Sequence, residues 1–352
     1  MVQTYREAIA QSMRSALKDN PKSIIYGLGV TDFTGIFGTT LNLEKEFGSD
    51  RVFDTPLSEE SMTGFSVGAA LNGIYPIHIY IRVDFLMLAM NQIVNSIAKY
   101  KYMYGELFDM PLLMRAIIGR SWGQGAQHSQ SLQALFAHIP GLTVIMPSSA
   151  QSVIDNYSYA VNKYKSPVLS LEHRLLYDFS FNPEEGSKAA NNPFTSHIVK
   201  PGKDVTIAAT SFMVVEAKNA ANFVKEKEGI DAEIIDLHCI SHMDAQLLLE
   251  SVRKTGRLIV ADTGWPSFGV CSEVCRIISS CAPELLKKPV INISMAPVPC
   301  PTAKTLENYF YPDIGTLVDS IYKLVLGKER HGKELPSADL KRKLYKEFKG
   351  PF

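Results

Sequence analysis

The sequence lacks several features that would assign it to a familiar class of protein. Its 352 residues carry no excess charge of either sign, because 36 Lys and Arg balance 36 Asp and Glu. A balanced chain has no general attraction to nucleic acid or to an anionic membrane, so neither is expected as a partner. No run reaches the ~18 apolar residues of a membrane-spanning helix. The charged residues 1–7 do not form a secretory signal. These absences predict a cytoplasmic protein.

Cysteine and the common catalytic motifs are also scarce. The five cysteines are an odd number, and only Cys271 and Cys275 approach a metal-ligand spacing. They are therefore predicted to be small buried hydrophobes in a reducing compartment. The P-loop, HExxH and GxSxG patterns are absent. The run Gly27-Leu-Gly29 lacks the third glycine and the acid of a dinucleotide-binding loop. No metal ligand is predicted in this chain.

Short apolar segments alternate with helical patterns along the whole chain. The predicted strands are 23–26, 77–81, 111–115, 143–146, 168–171, 205–209, 232–235, 258–261 and 289–293. This alternation predicts an α/β protein with two doubly wound, mostly parallel sheets that are covered on both faces. Ligands of such sheets bind beyond the carboxyl ends of the strands. The loops after Ile81 and Arg115 are therefore the expected binding loops.

Composition divides the chain into two halves. Residues 179–203 are rich in Asn and Pro and have little apolar periodicity, which predicts a linker. The predicted domains are residues 1–178 and 204–326, followed by a charged tail over 327–352. In the first domain, Gly64 and Gly68 lie four apart, which predicts a helix packed closely against the sheet or a cofactor.

Three segments of the first half combine residue types suited to chemistry. In the first, Glu59 and Glu60 either complement a helix N-terminus capped by Ser58 or belong to a site. In the second, Phe85 follows a strand and either packs in the core or faces a flat ring. The third, residues 119–130, has three glycines, Trp122 and His128, a composition typical of a binding loop. Histidine suits proton transfer near neutral pH.

The order and spacing of these segments resemble a known family. The resemblance rests on residues 4–9 (TYREAI), 51–59 (RVFDTPLSE), 91–99 (NQIVNSIAK), 126–130 (AQHSQ), 140–144 (PGLTV), 264–269 (GWPSFG) and 301–307 (PTAKTLE). The chain resembles the beta subunits of the thiamine-diphosphate-dependent 2-oxo acid dehydrogenases, of which pyruvate dehydrogenase is the best known. This resemblance implies a transketolase-like pyrimidine-binding domain followed by a transketolase C-terminal domain, which serves mainly assembly and docking.

The resemblance implies a site shared between chains. Thiamine diphosphate would be held in an α2β2 heterotetramer, with the diphosphate and Mg²⁺ on an alpha-type subunit and the aminopyrimidine on this chain. Glu59 corresponds to the carboxyl that hydrogen-bonds the pyrimidine nitrogen, Phe85 to the aromatic that stacks on the pyrimidine, and His128 to the histidine that faces a 2-oxo acid substrate. The carboxyl must be protonated to donate, which burial at a subunit interface favours. A beta homodimer and a lipoyl acyltransferase are further expected partners.

Several positions depart from the family pattern. Leu28 stands where an acid of a network between cofactor sites is usual, and residues 239–244 lack the usual Arg and Pro. Arg82 and Trp122 add charge and bulk, and their role is open. The sequence therefore leaves two alternatives open. One is half of a split transketolase-like enzyme that transfers a two-carbon unit between sugars, and the other is a scaffold without activity. The joint presence of Glu59, Phe85 and His128 speaks against the scaffold.

Overall fold

The computed structural model describes residues 2–119, 123–182, 192–327 and 335–337. Within these ranges the chain forms two compact units. The first takes in residues 2–119 and 135–194, and the second residues 123–134 and 195–327, as far as each is described. Trp122 and nearly all of the predicted tail lie outside the described residues. The predicted domain boundaries stay a prediction.

Eight strands and eight helices are described up to residue 182. The strands are β1 (Gln3–Thr4), β2 (Ser23–Gly27), β3 (Val52–Asp54), β4 (Tyr75–Tyr80), β5 (Leu112–Ile118), β6 (Thr143–Ile145), β7 (Pro167–His173) and β8 (Ser180–Phe181). The helices are α1 (Tyr5–Asp19), α2 (Gly35–Gly38), α3 (Leu43–Phe47), α4 (Glu59–Leu71), α5 (Val83–Leu86), α6 (Tyr100–Met103), α7 (Gln133–Ala137) and α8 (Ala150–Asn162). Two 3-10 turns span Met87–Ala89 and Arg174–Asp178, and a π-helix spans Gln92–Ile97.

The remaining elements belong to the second unit. Its strands are β9 (His197–Lys200), β10 (Val205–Ala209), β11 (Ala232–Asp236), β12 (Leu258–Ala261) and β13 (Ile291–Ile293). Its helices are α9 (Phe212–Glu228), α10 (Ala245–Thr255), α11 (Val270–Cys281), α12 (Lys304–Phe310) and α13 (Ile314–Leu326), with a 3-10 turn at Pro283–Leu285.

Each unit has its own sheet, and the predicted fold class is confirmed. The first sheet has the strand order β3-β2-β4-β5-β7-β6, and all its strands are parallel. The second has the order β13-β12-β10-β11-β9, and only β9 is antiparallel to its neighbour. The central strands β2, β4, β5 and β7 are buried along their whole length because helices cover both faces, as their apolar sequences predict.

Local sequence signals set the ends of the helices. Helix α1 begins with a capping box, in which the Thr4 hydroxyl accepts the Glu7 N–H at 3.2 Å and the Glu7 carboxylate accepts the Thr4 N–H at 2.8 Å. These hydrogen bonds lower the pKa of Glu7. Helices α9, α10 and α13 each end at a glycine in the left-handed conformation, and in α9 and α10 the glycine N–H donates to a carbonyl oxygen of the last turn.

Three expectations from the sequence need correction. The predicted linker over 179–203 contains β8, which pairs with β1, and β9, which adds to the second sheet; of the residues between these strands, 183–191 are not described. Within the described chain, the predicted close packing of Gly64 and Gly68 against the sheet is wrong, whereas close packing against a cofactor stays a prediction. A Cβ at Gly68 would have no atom within 4 Å, and one at Gly64 would only touch Gln92 at 3.8 Å. Among the predicted buried cysteines, Cys281 is exposed.

A fully buried ion pair lies between β5 and β7. The Arg115 guanidinium donates to both carboxylate oxygens of Glu172, at 2.6 and 3.0 Å, and both side chains are inaccessible to water. The hydroxyls of Tyr157 and Tyr177 also donate to Glu172. Burial, reinforced by the negative charge of Glu172, raises the pKa of both tyrosines, which therefore remain neutral donors.

None of the described helices is both long and apolar enough to cross a bilayer.

The buried pair provides a test of the first unit. We expect Arg115→Met to lower the free energy of unfolding by about 3–5 kcal/mol, because it leaves Glu172 buried without its cation. Adding Glu172→Leu should recover much of that loss. Urea unfolding followed by circular dichroism measures both changes. The matched control is Arg14→Met, which removes the exposed pair with Glu46 and should cost at most about 1 kcal/mol. Equal effects of the two arginine variants would contradict the assignment.

Candidate cofactor-binding site

A cavity opens at the carboxyl edge of the first sheet, where ligand sites of parallel sheets form. The ends of β2, β3 and β4, the start of α4 and the start of α5 line it with Leu28, Thr55, Pro56, Leu57, Glu59, Met62, His78, Ile79, Tyr80, Ile81, Arg82 and Phe85. The cavity measures about 50 Å³ inside a cleft of about 410 Å³ that includes its open mouth. A complete small-molecule pocket holds roughly 300–1,000 Å³. The first unit therefore provides one wall of a larger site.

Glu59 is the first residue of α4 and reaches this cavity. Ser58 occupies the N-cap position, as the sequence suggests, but its side chain makes no capping hydrogen bond. Glu59 is half-buried, and no hydrogen bond or ion pair engages its carboxylate within the part of the chain that the structure describes. The carboxylate is thus available for a ligand, at a helix end whose free N–H groups favour negative charge.

A row of aromatic rings forms the floor beneath α4. Tyr26 stacks between Phe53 and His78, with ring centroids 5.3 and 4.6 Å away, and His78 lies 4.1 Å from Tyr80. These side chains come from the adjacent strands β3, β2 and β4 and point to one face because alternate residues of a strand share a face. The row gives α4 a flat, rigid surface on which to pack.

Hydroxyl groups fix α4 on this floor. The Tyr80 hydroxyl contacts the Thr63 hydroxyl, and the Tyr26 hydroxyl lies 2.5 Å from the Ser66 hydroxyl. Thr63 in turn contacts the Glu59 carbonyl oxygen at 2.6 Å. Burial raises the pKa of Tyr26 and Tyr80, so both phenols stay protonated. A chain of contacts thus runs from β4 through Tyr80 and Thr63 to Glu59.

Phe85 and Arg82 form the opposite part of the wall. Phe85 is 40% exposed, far more than a core aromatic, so the core alternative that the sequence left open does not describe it. Arg82 is only 4% exposed and donates from Nη1 to the Gly119 carbonyl oxygen at 3.2 Å. The guanidinium therefore joins β4 to the end of β5, in addition to bringing positive charge to the cavity.

Two acids near Glu59 have structural partners. Asp54 accepts the N–H groups of Gly29 and Val30 at 2.6 and 3.3 Å and thereby closes the turn after β2. Glu60 accepts a hydrogen bond from Gln92 at 3.0 Å, which joins α4 to the π-helix. Leu28, where an acid is usual in the family, lies on the cavity wall and is 38% exposed. The wall is apolar at that point.

His128 lies in the second unit, within the segment 123–132 that precedes α7. It is half-buried, and its neighbour Ser129 is buried. The structure therefore brings Glu59 and Phe85 together in one cavity of the first unit and places His128 in the other unit. Within the described ranges no three His, Cys, Asp or Glu side chains are grouped so as to hold a metal ion.

Sequence reasoning missed His78, Thr63 and Tyr80 as parts of the site. Burial lowers the pKa of His78 to about 3, so its ring is neutral. A polar residue inside the apolar segment 77–81 was the available signal for His78. No local signal identified Thr63, because its importance comes from the strand beneath it.

Two family models match most of the chain. The model described as "Transketolase, pyrimidine binding domain" matches residues 2–179, and the one described as "Transketolase, C-terminal domain" matches residues 195–316. Among similar proteins are mitochondrial pyruvate dehydrogenase E1 component subunits beta. The one from Bos taurus is 37% identical and that from Homo sapiens 36% identical, each over 91% of this chain and 90% of the relative. A pyruvate dehydrogenase E1 component subunit beta from Rhizobium meliloti is 35% identical over 90% of this chain and 69% of its own length.

A solved structure has the same fold. It is described as "Split gene transketolase, inactive beta4 tetramer" and superposes with a TM-score of 0.72 at 25% identity, over 92% of this chain and 98% of that chain.

The neutral state of His78 predicts a pH-dependent stability. The unfolded chain binds a proton at this residue below its ordinary pKa near 6.5, whereas the folded chain does so only near pH 3. The contribution of His78 to stability is therefore complete above pH 6.5 and is lost as the pH falls toward 3. Between pH 7 and pH 5 the loss amounts to about 2 kcal/mol, at about 1.4 kcal/mol per pKa unit.

The variant His78→Phe keeps a flat ring and removes the proton site. We expect its free energy of unfolding to fall about 2 kcal/mol less than that of the wild type between pH 7 and pH 5. Urea unfolding at the two pH values gives the comparison, with His138→Gln, at an exposed position, as the control. If His78→Phe and wild type show the same slope with pH, the buried neutral histidine is refuted.

Proposed function

Because the chain belongs to the transketolase-type family and, within it, to the pyruvate dehydrogenase E1 beta subunits, we propose that it is the beta subunit of a thiamine-diphosphate-dependent 2-oxo acid dehydrogenase. The observation that carries the proposal is the pairing of the Glu59 carboxyl with the exposed Phe85 ring in one cavity. Identities of 35–37% to E1 beta subunits, against 25% to the split gene transketolase, favour the dehydrogenase over two-carbon transfer between sugars.

The cavity fits an aminopyrimidine. Such a ring needs a hydrogen-bonding carboxyl at one edge and apolar or aromatic groups against its faces. The wall offers Glu59 for the edge, and Phe85, Leu28 and Met62 for the faces. Because the enclosed volume is only about 50 Å³, the remaining walls must come from another chain. We assign them to an alpha-type subunit that also holds the diphosphate and Mg²⁺ in an α2β2 heterotetramer.

When bound, thiamine diphosphate would supply a carbanion that can add to a 2-oxo group and accept the electrons of decarboxylation. Glu59 would hold the pyrimidine ring by sharing its carboxyl proton with a ring nitrogen, and would thereby control the tautomer of that ring. Tyr80 and Thr63 hold the start of α4, so the carboxyl keeps its place.

We assign to His128 the stabilisation of charge that develops on the substrate, with transfer of the acyl group to a lipoyl acyltransferase as the following step. Retention of Glu59, Phe85 and His128 speaks against a scaffold without activity. The Bos taurus and Homo sapiens relatives are named mitochondrial, whereas the name of the Rhizobium meliloti protein carries no compartment. A cytoplasmic location stays a prediction.

The role of Glu59 is tested on the cofactor. We expect Glu59→Gln to slow hydrogen–deuterium exchange at the thiazolium carbon by roughly 10²–10⁴-fold, because the amide cannot deliver a proton to the pyrimidine nitrogen. The assay uses the chain purified with its alpha-type partner, and NMR follows the exchange. Glu60→Gln is the matched control, since Glu60 points to Gln92 and does not line the cavity. Exchange in Glu59→Gln as fast as in wild type would refute the role.

The need for a partner has its own test. We expect the purified chain alone to form a homodimer that does not turn over any 2-oxo acid, because one chain closes only part of the cavity. Light scattering, calorimetric binding of thiamine diphosphate and a turnover assay measure the three properties, each with and without the co-purified partner. The solved relative is described as an inactive beta4 tetramer, which supports the expected lack of turnover by beta-type chains alone. Turnover by the chain alone contradicts the shared site, and failure to bind the cofactor in both states contradicts the proposed enzyme.

A further inference from the structure

The segment that carries His128 belongs by its contacts to the second unit, although it lies in the first half of the sequence. Along it, burial alternates. Ser129, Ser131 and Gln133 are buried, whereas His128 and Gln130 between them are half-buried. The segment therefore has a buried side and a partly open side, and His128 lies on the partly open side. Its two ends are held by two buried acids of that unit.

Glu307 of α12 holds the beginning of the segment. Its side chain is completely buried, and one carboxylate oxygen accepts the Gly123 N–H at 3.2 Å. The other oxygen has no hydrogen-bond partner within the described residues. Close packing continues at Gly125, where a Cβ would lie 2.7 Å from the Thr302 hydroxyl. The backbone of the segment is thus pressed against residues 302–307.

Asp262 holds the end of the segment. The Gln133 amide donates to both Asp262 carboxylate oxygens at 3.0 Å. Asp262 follows β12 and also accepts the Thr210 hydroxyl, at the end of neighbouring β10, and the Gly264 N–H at 3.1 Å. A Cβ at Gly264 would lie 2.6 Å from Asp262 and 3.0 Å from the Gln133 amide, so the contact leaves no room for a side chain.

Neither acid is neutralised by a cation in the described structure. Within the described residues, the groups that donate to them are all neutral N–H or O–H groups. A buried carboxylate without a cation destabilises a fold, and burial raises the pKa of Asp262 despite its donors. Apolar residues would be the more stable choice if these positions served packing alone.

We propose that the C-terminal unit positions the substrate-facing histidine, with Glu307 and Asp262 clamping the segment 123–133 on either side of His128. The inference rests on the role of His128 in the proposed function. It changes the expectation from the sequence, in which the C-terminal half serves mainly assembly and docking. Glu307, Asp262 and Gln133 are positioning residues, since they act through the segment.

Two independent variants test the clamp. Glu307→Leu removes the acceptor of the Gly123 N–H, and Gln133→Leu removes the donor to Asp262. In the purified chain, amide hydrogen exchange of the peptide 123–134 should become at least ~10-fold faster in each variant, because each loses the contacts that hold one end. Glu307→Gln keeps an acceptor oxygen and should restore most of the protection. Glu233→Leu is the control, since this buried acid binds Ser251 and Lys254 away from the segment.

The consequence for catalysis is measured in the complex with the alpha-type partner, on the 2-oxo acid that wild type turns over fastest. Glu307→Leu and Gln133→Leu should each lower kcat by about 10²-fold, the order expected for a reacting group displaced by about 1 Å. Exchange at the thiazolium carbon should stay as in wild type, because Glu59 and its supports lie in the first unit. Glu307→Gln should recover most of the lost kcat.

Each outcome decides the inference. Unchanged protection of residues 123–134 in both leucine variants overturns it, as does a parallel loss of kcat and thiazolium exchange, which indicates general damage to the fold. Faster amide exchange with selective loss of kcat supports it. A wild-type complex without thiazolium exchange refutes the proposed function instead, and amide exchange in the chain alone then still tests the clamp.

Discussion

The candidate site depends on one buried contact, between the hydroxyls of Thr63 and Tyr80. A buried hydroxyl must find a partner, because leaving it unpaired costs about 1–3 kcal/mol. This requirement fixes the rotation of α4 on β4. The Thr63 hydroxyl also contacts the Glu59 carbonyl oxygen, so the same contact fixes the first turn of the helix. Within the described residues, no hydrogen bond or ion pair engages the Glu59 carboxylate, which stands at the open end of the helix. The contacts of Thr63, one turn further along α4, hold the helix in place, so the Glu59 side chain is not needed for that purpose and can bind a ligand.

Buried acids are treated differently in the two units. In the first, Glu172 lies opposite Arg115 and two tyrosines, so its charge is balanced and its hydrogen bonds are made. In the second, the hydrogen bonds that Asp262 and Glu307 accept from the described residues all come from neutral donors. The first arrangement stiffens the sheet behind the cavity. In the proposed clamp, the second arrangement holds the segment 123–133, which precedes most of its own unit in the sequence.

The cavity of the first unit has the properties of an incomplete binding site. Its enclosed volume is too small for a cofactor, and its wall combines an uncommitted carboxyl with exposed apolar side chains, Leu57 at 77% and Phe85 at 40%. Surfaces of this kind are covered in an assembly. Leu28 makes the wall apolar where the family has an acid, and Arg82 is occupied with the Gly119 carbonyl oxygen. In the first unit, the departures at Leu28 and Arg82 thus lie on the wall of the cavity that Glu59 also lines.

The sequence by itself determined the class of fold, since strands buried on both faces must be continuously apolar and the helices between them amphipathic. The resemblance to a known family, carried by motifs in a characteristic order and spacing, also singled out Glu59, Phe85 and His128. Tertiary structure alone decided what surrounds them. Thr63, Tyr80 and His78 meet through pairing of strands and packing of a helix, and Gln133 meets Asp262 across 129 positions of sequence. The sequence around each residue does not predict such contacts, because the same side chain can face water or a residue far away in the sequence. The assignment of His128 to the second unit follows from those contacts and not from its place in the chain.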